Sequence, residues 1–297
     1  MSWTEFFQHL ANGISLGSLY ALIAIGYTMV YGILRLINFA HGDIFMVAAY
    51  VAFYGLFIFT LPWWVSFLLA LVFTAFFGAL IEKAAYRPLR NSPRISLLIS
   101  AIGVSFFLEN LGLVIFGGRP KSFPRPDLFV QAWVVKDVTL QSLTFYIPIV
   151  TAVLLLFLLL LIYRTKLGMA MRALAKDFET AKLMAIDVDR IISLTFVIGS
   201  GLAAVGGIMW SLKFPQINPL MGIFPGLKCF IAAVLGGIGN VTGAVLGGFI
   251  LGILEIMLVA FFPELSGYRD AFAFIILILI LLLRPTGILG ETAAEKV

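Results

Sequence analysis

The chain has 297 residues, of which 62% are hydrophobic and only 12% are charged. Soluble globular domains carry about 25% charged residues, so this composition excludes a soluble protein, and the mean hydropathy of +1.08 indicates a membrane protein. The formal net charge of +5 comes from basic residues that lie mainly between apolar segments, so we expect a lipid bilayer and not nucleic acid as the surroundings of this chain.

Apolar segments near the ~20 residues that a helix needs to cross the hydrocarbon layer recur along the whole chain. They predict an all-α polytopic membrane protein of about 8–9 transmembrane helices, in a single transmembrane domain over residues 1–297. The eight clear spans are 11–34, 44–61, 64–81, 95–116, 145–163, 191–212, 241–262 and 270–284. A ninth, glycine-interrupted segment at 223–239 either crosses the membrane fully or re-enters it.

The first interruption of the apolar pattern is the sequence NFAHGD, between the first two spans. It contains Asn38, His41, Gly42 and Asp43. One interpretation is a short cytoplasmic turn with a helix cap. The other is a break that lines a transport pathway, with Asp43 capping the following helix. The residues alone leave both interpretations open.

Two connections carry clustered basic residues, and loops of this kind stay in the cytoplasm. The first contains Lys83, Arg87, Arg90 and Arg94, and the second runs from 164 to 190. The proline-containing segment at about 117–144 lies between them, so we expect it outside, with strand character around QAWVV. This orientation predicts an outward N-terminus. The C-terminus is inside if the ninth segment crosses fully and outside if it re-enters.

Two acidic residues, Glu109 and Glu255, lie inside predicted spans. Ionisable groups within spans usually face the protein interior and often mark functional sites. Interhelical hydrogen bonding explains them equally well. Two isolated glutamates do not form the relay expected of a proton- or sodium-coupled carrier.

The second basic loop contains an amphipathic segment, GMAMRALAKDFETAKLMAIDVDR, at 168–190. Leu174, Phe178 and Ala181 fall on one helical face, and basic residues fall on another, which is typical of a surface helix. Such a helix either lies on the membrane surface or docks its apolar face into a groove on a partner protein.

The second interruption, GGIGN, contains Gly236, Gly237, Gly239 and Asn240. Small residues mark close helix contacts in lipid, so tight packing is one interpretation. The other is an unwound helix that exposes backbone groups to a cavity. Transporters often build their pathway from interrupted helices in two halves, so we predict that NFAHGD and GGIGN are partners across one pathway.

No catalytic motif is present in the sequence. The absence of a phosphate-binding loop excludes a P-loop ATPase. The chain has only His9 and His41, which excludes a multi-histidine metal site, and a single cysteine, Cys229. We therefore expect a non-catalytic chain with no metal and no cofactor.

Four segments resemble the permease subunits of branched-chain amino acid ABC transporters, and they match best the shorter of the two permeases in such systems. The segments are GSLYALIAIGYTMVYGILRLINFAHGDIFMVAAY, GMAMRALAKDFETAKLMAID, VIGSGLAAVGG and GLKCFIAAVLGGIGNVTGAVLGGFILGILE. The similarity covers nearly the whole chain, and its most specific part is the Asn-Phe-Ala-His-Gly element.

This resemblance implies an importer subunit in the bacterial cytoplasmic (inner) membrane. The implied partners are a second, paralogous permease subunit, two cytoplasmic ATPase subunits and a periplasmic binding protein that delivers leucine, isoleucine or valine. ATP hydrolysis is then expected on the ATPase subunits, and this chain is not an enzyme. Whether the two permeases form a heterodimer or a homodimer remains open.

The resemblance also identifies the loop at about 164–190 as the family's cytoplasmic coupling loop, which favours partner docking over membrane binding. The residues expected to form the ATPase contact are Arg172, Ala173, Asp177, Phe178 and Ala181. The family usually has Gly where this chain has Ala185, so we expect the end of the segment to be more helical here.

Three rival functions stay open. The first is a permease of the same importer class for another solute, such as urea, a short amide or a sugar. The second is an autonomous secondary carrier or channel, which would transport without ATPase partners. The third is a membrane-embedded scaffold without transport, which the paired interruptions disfavour.

Overall fold

A computed structural model of the chain describes residues 2–90, 92–135 and 138–290. Residues 136–137 of the predicted outward loop and residues 291–297 of the predicted domain lie outside these ranges. The helices are α1 (Trp3–Leu34), α2 (His41–Phe57), α3 (Trp63–Ile81), α4 (Arg94–Phe116), α5 (Ser142–Arg164), α6 (Lys166–Lys176), α7 (Phe178–Leu183), α8 (Val188–Lys213), α9 (Ile223–Gly236), α10 (Val241–Phe261) and α11 (Arg269–Leu283). The strands are β1 (Lys121–Ser122), β2 (Ala132–Val135), β3 (Val138–Gln141) and β4 (Gln216–Ile217).

Seven helical stretches among the described residues are long and apolar enough to cross a membrane. They coincide with seven of the predicted spans, so the prediction of an all-α polytopic membrane protein is confirmed. The other two predicted segments, 44–61 and 223–239, form the shorter helices α2 and α9, of 17 and 14 residues. At 1.5 Å per residue α9 is about 21 Å long, less than the ~30 Å of the hydrocarbon layer.

Helix α1 occupies the centre of the bundle, and 94% of its most apolar 18-residue stretch is buried. It packs against α5, α8, α9 and α10. The contact with α10 is a backbone-to-backbone seam of glycines: a Cβ atom on Gly17 would lie 2.8 Å from the Cα atom of Phe249, and one on Gly252 would overlap the backbone of Gly17. Lipid supplies no hydrophobic driving force between helices, so this close approach is what holds the pair together.

The two ends of the bundle carry different structures. Helix α6 contacts α1, and α7 contacts α6 and α8, at what we call the lower end. The strands lie at the opposite, upper end, where β1 pairs with β4 and β2 pairs with β3, both antiparallel. The predicted strand around QAWVV is therefore confirmed.

The described C-terminal residues return to the lower end. The backbone N–H groups of Ile288 and Leu289 donate to the carbonyl oxygens of Leu235 and Gly236, at the end of α9. The strand β4 and helix α9 together carry the chain from the upper end to the lower end. Helix α9 alone is thus too short to pass through the bundle, and the residues before it, including β4, supply the remaining length. The last described residues lie at the lower end, as α6 and α7 do.

The glycine seam generates a stability prediction. Gly252→Ala should destabilise the chain by about 1–3 kcal/mol, because the added methyl group meets the backbone of α1 and forces the two helices apart. Gly201→Ala is the matched control, since nothing lies within 4 Å of a Cβ atom there. Thermal unfolding in detergent measures both, and an unchanged melting temperature for Gly252→Ala would contradict the seam.

Candidate functional site

The NFAHGD interruption lies deep inside the bundle. Helix α1 ends at Leu34, and residues 35–40 turn back so that α2 begins beside the middle of α1, where Nε2 of His41 lies 3.2 Å from the carbonyl oxygen of Ile23. Ile23 is about 16 Å above the lower end of α1, from the 1.5 Å rise per residue. Asn38, His41 and Asp43 are at most 2% exposed. The interpretation of this segment as a cytoplasmic turn is therefore wrong.

Asp43 does not cap α2, contrary to expectation. The N-cap residue of α2 is Ala40, whose side chain makes no capping hydrogen bond. The carboxylate of Asp43, in the first turn of α2, accepts a hydrogen bond from the hydroxyl of Ser105 on α4, at 2.5 Å. Asp43 thus links the first turn of α2 to a neighbouring helix.

The start of α2 meets the start of α9 through glycines. A Cβ atom on Gly42 would contact the carbonyl group of Gly222, and one on Gly222 would overlap the backbone of Gly42. Gly226 lies against the backbone of Gly42: a Cβ atom added to Gly226 would lie 3.2 Å from the Cα atom of Gly42. Only residues without side chains allow two helix N-termini to approach this closely inside the bundle.

A cavity of about 180 Å³ opens at this meeting point. Its volume equals that of roughly six water molecules in the liquid. The lining is mostly apolar, with the polar side chains of Asp43, Ser105 and Glu109 on one side. The lining residues are Tyr27, Phe39, Gly42, Asp43, Ile102, Ser105, Phe106, Glu109, Gly222, Ile223, Gly226 and Leu227.

The cavity carries two carboxylates for which the described ranges hold no basic partner. The hydroxyl of Ser105 lies between them, 2.5 Å from Asp43 and 3.5 Å from Glu109. In the described part of the chain neither carboxylate forms a salt bridge. Acidic groups at this depth usually pair with a cation or mark a solute pathway. The cavity can therefore accept a positively charged group beside an apolar body.

The GGIGN interruption lies at the other end of α9. Gly236 packs against Gly243, and the backbone leaves the helix at Gly237 and Gly239 with φ angles of 109° and 97°. Asn240 caps α10: its Oδ1 accepts from the N–H of Gly243 at 3.1 Å. About 21 Å of helix separates this end from Gly222.

The two predicted interruptions are therefore not brought together, and the prediction that they are partners is wrong. The break at 38–43 meets the glycines at the start of α9, Gly222 and Gly226, which the sequence reading missed. Close packing and a helix cap explain Gly236 and Asn240. A pathway role for Gly236, Gly237, Gly239 and Asn240 stays a prediction. A pathway role for Asn38, His41, Gly42 and Asp43 also stays a prediction.

Glu255 belongs to a buried charge cluster that ties four helices. The carboxylate of Glu255 accepts a hydrogen bond from the hydroxyl of Tyr20 at 2.8 Å and forms an ion pair with Lys228 at 2.8 Å. Lys228 also forms an ion pair with Asp270 at 2.7 Å. These residues lie on α10, α1, α9 and α11. The sequence reading missed Lys228, although a lone lysine in the apolar segment 223–239 was the signal.

The segment predicted as one coupling helix forms two. Helix α6 ends at Lys176, and Asp177 caps α7, its carboxylate accepting from the N–H groups of Glu179 and Thr180 at 3.0 and 3.3 Å. The single helix over 168–190 is therefore wrong. A capping aspartate needs extended backbone, and this interrupts the helix.

The apolar face of this pair of helices packs on the bundle. Leu174 and Ala181 are buried, and Phe178 is half-buried against the core. Arg172 lies over the ring of Tyr163, with its guanidinium carbon 5.4 Å from the ring centroid. Ala173 lies one residue further along α6 and is also partly buried.

The free surface at the lower end is the turn after α7. Leu183 and Met184 are 86% and 73% exposed, although they lie outside every apolar span. Ala185 has a left-handed φ of 58°, and α7 ends at Leu183. The expected more helical end is therefore wrong, because this turn needs the backbone conformation that glycine adopts most easily.

Comparison with protein families gives a match over residues 9–281 to the family described as the branched-chain amino acid transport system permease component. The chain is 44% identical to the high-affinity branched-chain amino acid transport system permease protein LivH of Escherichia coli K12, with 98% of each chain covered. It is equally 44% identical to the permease protein BraD of Pseudomonas aeruginosa, over 99% of this chain and 98% of the relative.

Among solved structures, PsaBC from Streptococcus pneumoniae in complex with Fab matches with a TM-score of 0.50. The match covers 93% of this chain and 91% of that chain at 14% identity, so it concerns the fold alone. The family match and the two relatives extend over nearly the full length, from the central helix α1 to α11. The chain belongs to the family of permease components of branched-chain amino acid transport systems.

Proposed function

We propose that this chain is the permease subunit of an ATP-binding-cassette importer that carries leucine, isoleucine and valine across the bacterial cytoplasmic membrane. It forms the translocation pathway together with a second permease subunit. A periplasmic binding protein delivers the amino acid at the upper end, and two cytoplasmic ATPase subunits drive the cycle from the lower end. The family and the relatives LivH and BraD support the assignment.

The observation that carries this proposal is the cavity between the starts of α2 and α9. Its apolar wall includes Ile102, Phe106 and Leu227, which suit an aliphatic side chain. Asp43 and Glu109 offer negative charge to an α-ammonium group. The N-termini of two short helices carry partial positive charge, which favours an α-carboxylate. All three parts of a branched-chain amino acid thus find complementary surroundings.

The lower end supports coupling to separate ATPase subunits. Leu183 and Met184 form an exposed apolar tip, directly preceded by the basic residue Lys182. A tip of this kind fits a groove on a partner protein. The buried or half-buried residues expected at the contact, Ala173, Phe178 and Ala181, would then hold α6 and α7 against the bundle while the tip makes the contact.

Reconstitution tests the proposed function. Liposomes containing this chain, the second permease and both ATPases should accumulate leucine when ATP and the binding protein are supplied. Isoleucine and valine should compete, and urea or xylose should not. Accumulation of leucine by this chain alone would favour an autonomous carrier, and competition by urea or xylose would favour an importer for another solute.

The cavity generates a transport prediction. Asp43→Asn removes the charge that attracts the ammonium group while keeping the size of the side chain. We expect leucine uptake by the complex to fall roughly tenfold, as for the loss of a charged hydrogen bond. Asp127→Asn, in the upper loop, is the matched control. Uptake of radiolabelled leucine measures both, and equal uptake by the two variants would remove Asp43 from the pathway.

The exposed tip generates an assembly prediction. Leu183→Asp should abolish co-purification of the ATPase subunits, because a charge then enters an apolar groove, while the yield of membrane-inserted permease stays normal. Phe178→Asp should also abolish docking, with some loss of yield, since Phe178 packs on the core. Leu183→Met is the conservative control. Normal recovery of both ATPases with Leu183→Asp would refute docking through the tip.

A further inference from the structure

A polar network surrounds the end of α3 at the lower end of the bundle. Glu82 is fully buried and begins a π-helical turn, Glu82–Tyr86, that continues α3. Its carboxylate forms an ion pair with Arg90 and accepts a hydrogen bond from the hydroxyl of Ser193 at 2.6 Å. A buried carboxylate is tolerated only when it is paired in this way, so the turn, Arg90 and α8 are held together.

The same network reaches the start of α8. Asp189, in the first turn of α8, forms ion pairs with both Arg87 and Arg90. Four residues, 184–187, join α8 to α7, and Asp187 caps α8 by accepting from the N–H of Arg190 at 3.1 Å. The segment that we propose to contact the ATPases is thus tied through Asp189 to the turn after α3.

The other end of the π-helical turn reaches the pathway break. Tyr86 is 1% exposed, and its hydroxyl donates a hydrogen bond to Oδ1 of Asn38 at 2.7 Å. The Tyr86 ring packs on Phe196 of α8, with the ring centroids 5.4 Å apart. Asn38 lies three residues before α2, in the segment that connects to the cavity through Phe39.

We propose that Tyr86 is a positioning residue for the pathway break, and that the network of Glu82, Arg90 and Asp189 transmits movement of α7 and α8 to it. This inference rests on the proposed function and names how the cavity responds to the ATPases. When the tip after α7 moves, Asp189 and Ser193 move with α8. The π-helical turn follows, and the hydrogen bond from Tyr86 shifts Asn38 and the start of α2.

The physical basis is the kind of element that links the two sites. Energetic coupling between two separate sites is carried by packed side chains and by hydrogen-bond or ion-pair networks that have discrete arrangements. A π-helical turn is a rare helical geometry that often occurs at functional sites. Because the hydroxyl of Tyr86 donates to the side-chain oxygen of Asn38, a movement of the π-helical turn changes the position of Asn38 in the break.

The test compares two buried tyrosines, of which one has a hydroxyl group that donates a hydrogen bond and the other has a hydroxyl group without a partner among the described residues. Tyr86→Phe removes the hydrogen bond to Asn38 and keeps the ring on Phe196. Tyr50→Phe removes an equally buried hydroxyl that has no hydrogen-bond partner among the described residues. In the reconstituted complex, Tyr86→Phe should lower leucine uptake per ATP hydrolysed about five-fold or more, while complex yield and ATP hydrolysis persist. Tyr50→Phe should leave this ratio unchanged.

A second measurement follows the break itself. In a Cys229→Ser background, Phe39→Cys places a thiol beside the cavity. Its rate of modification by a water-soluble maleimide should differ between the nucleotide-free complex and the complex trapped with ADP and vanadate. Tyr86→Phe should abolish this difference, and Tyr50→Phe should retain it. Combining Tyr86→Phe with Asn38→Ala should add no further loss, because both changes remove one interaction.

The outcomes separate this inference from the proposed function. ATP-driven leucine uptake that persists at a normal ratio in Tyr86→Phe, with a nucleotide-dependent modification rate, would overturn the positioning role and leave the importer intact. Additive losses in the double variant would also overturn it. Failure of the unaltered complex to accumulate leucine would instead overturn the proposed function.

Discussion

The contact between Gly42 and Gly222 is the constraint on which the interior of this molecule depends. Backbone that is not helical is tolerated at membrane depth only where protein or a cavity shields it from lipid. Because two glycine backbones touch, α2 and α9 can both begin inside the bundle. The cavity lies where these two helices start.

The rest of the bundle is arranged to support that break. The glycine seam brings α10 against α1, and the Lys228 cluster fixes α9 to α1, α10 and α11. Lys228 lies two residues after Gly226, so the charge cluster holds the first turns of α9 next to the cavity. At the lower end, Arg90 compensates two carboxylates, Glu82 and Asp189, from different helices. Packing and paired charge thus hold a short, irregular segment in place.

The sequence predicted the helical membrane fold, the positions of the spans and the strand at QAWVV, because apolar length and alternation are local properties. It also located the break at Asn38–Asp43. It could not predict which element faces that break, since GGIGN and the glycines at 222 and 226 have similar local composition and only tertiary packing distinguishes them. The interrupted coupling segment was missed because Asp177 has the spacing of a helical residue, and its capping role depends on backbone that turns there.

Helix α4 is a wall of the cavity that contributes little to folding. Only 17% of its most apolar 18-residue stretch is buried, and its main contacts are with α2 and the π-helical turn. Ile102 and Phe106 are 37% and 60% exposed, yet both line the cavity. Exchanges of one apolar side chain for another on this face therefore change the shape of the cavity while the packing among the other helices is kept.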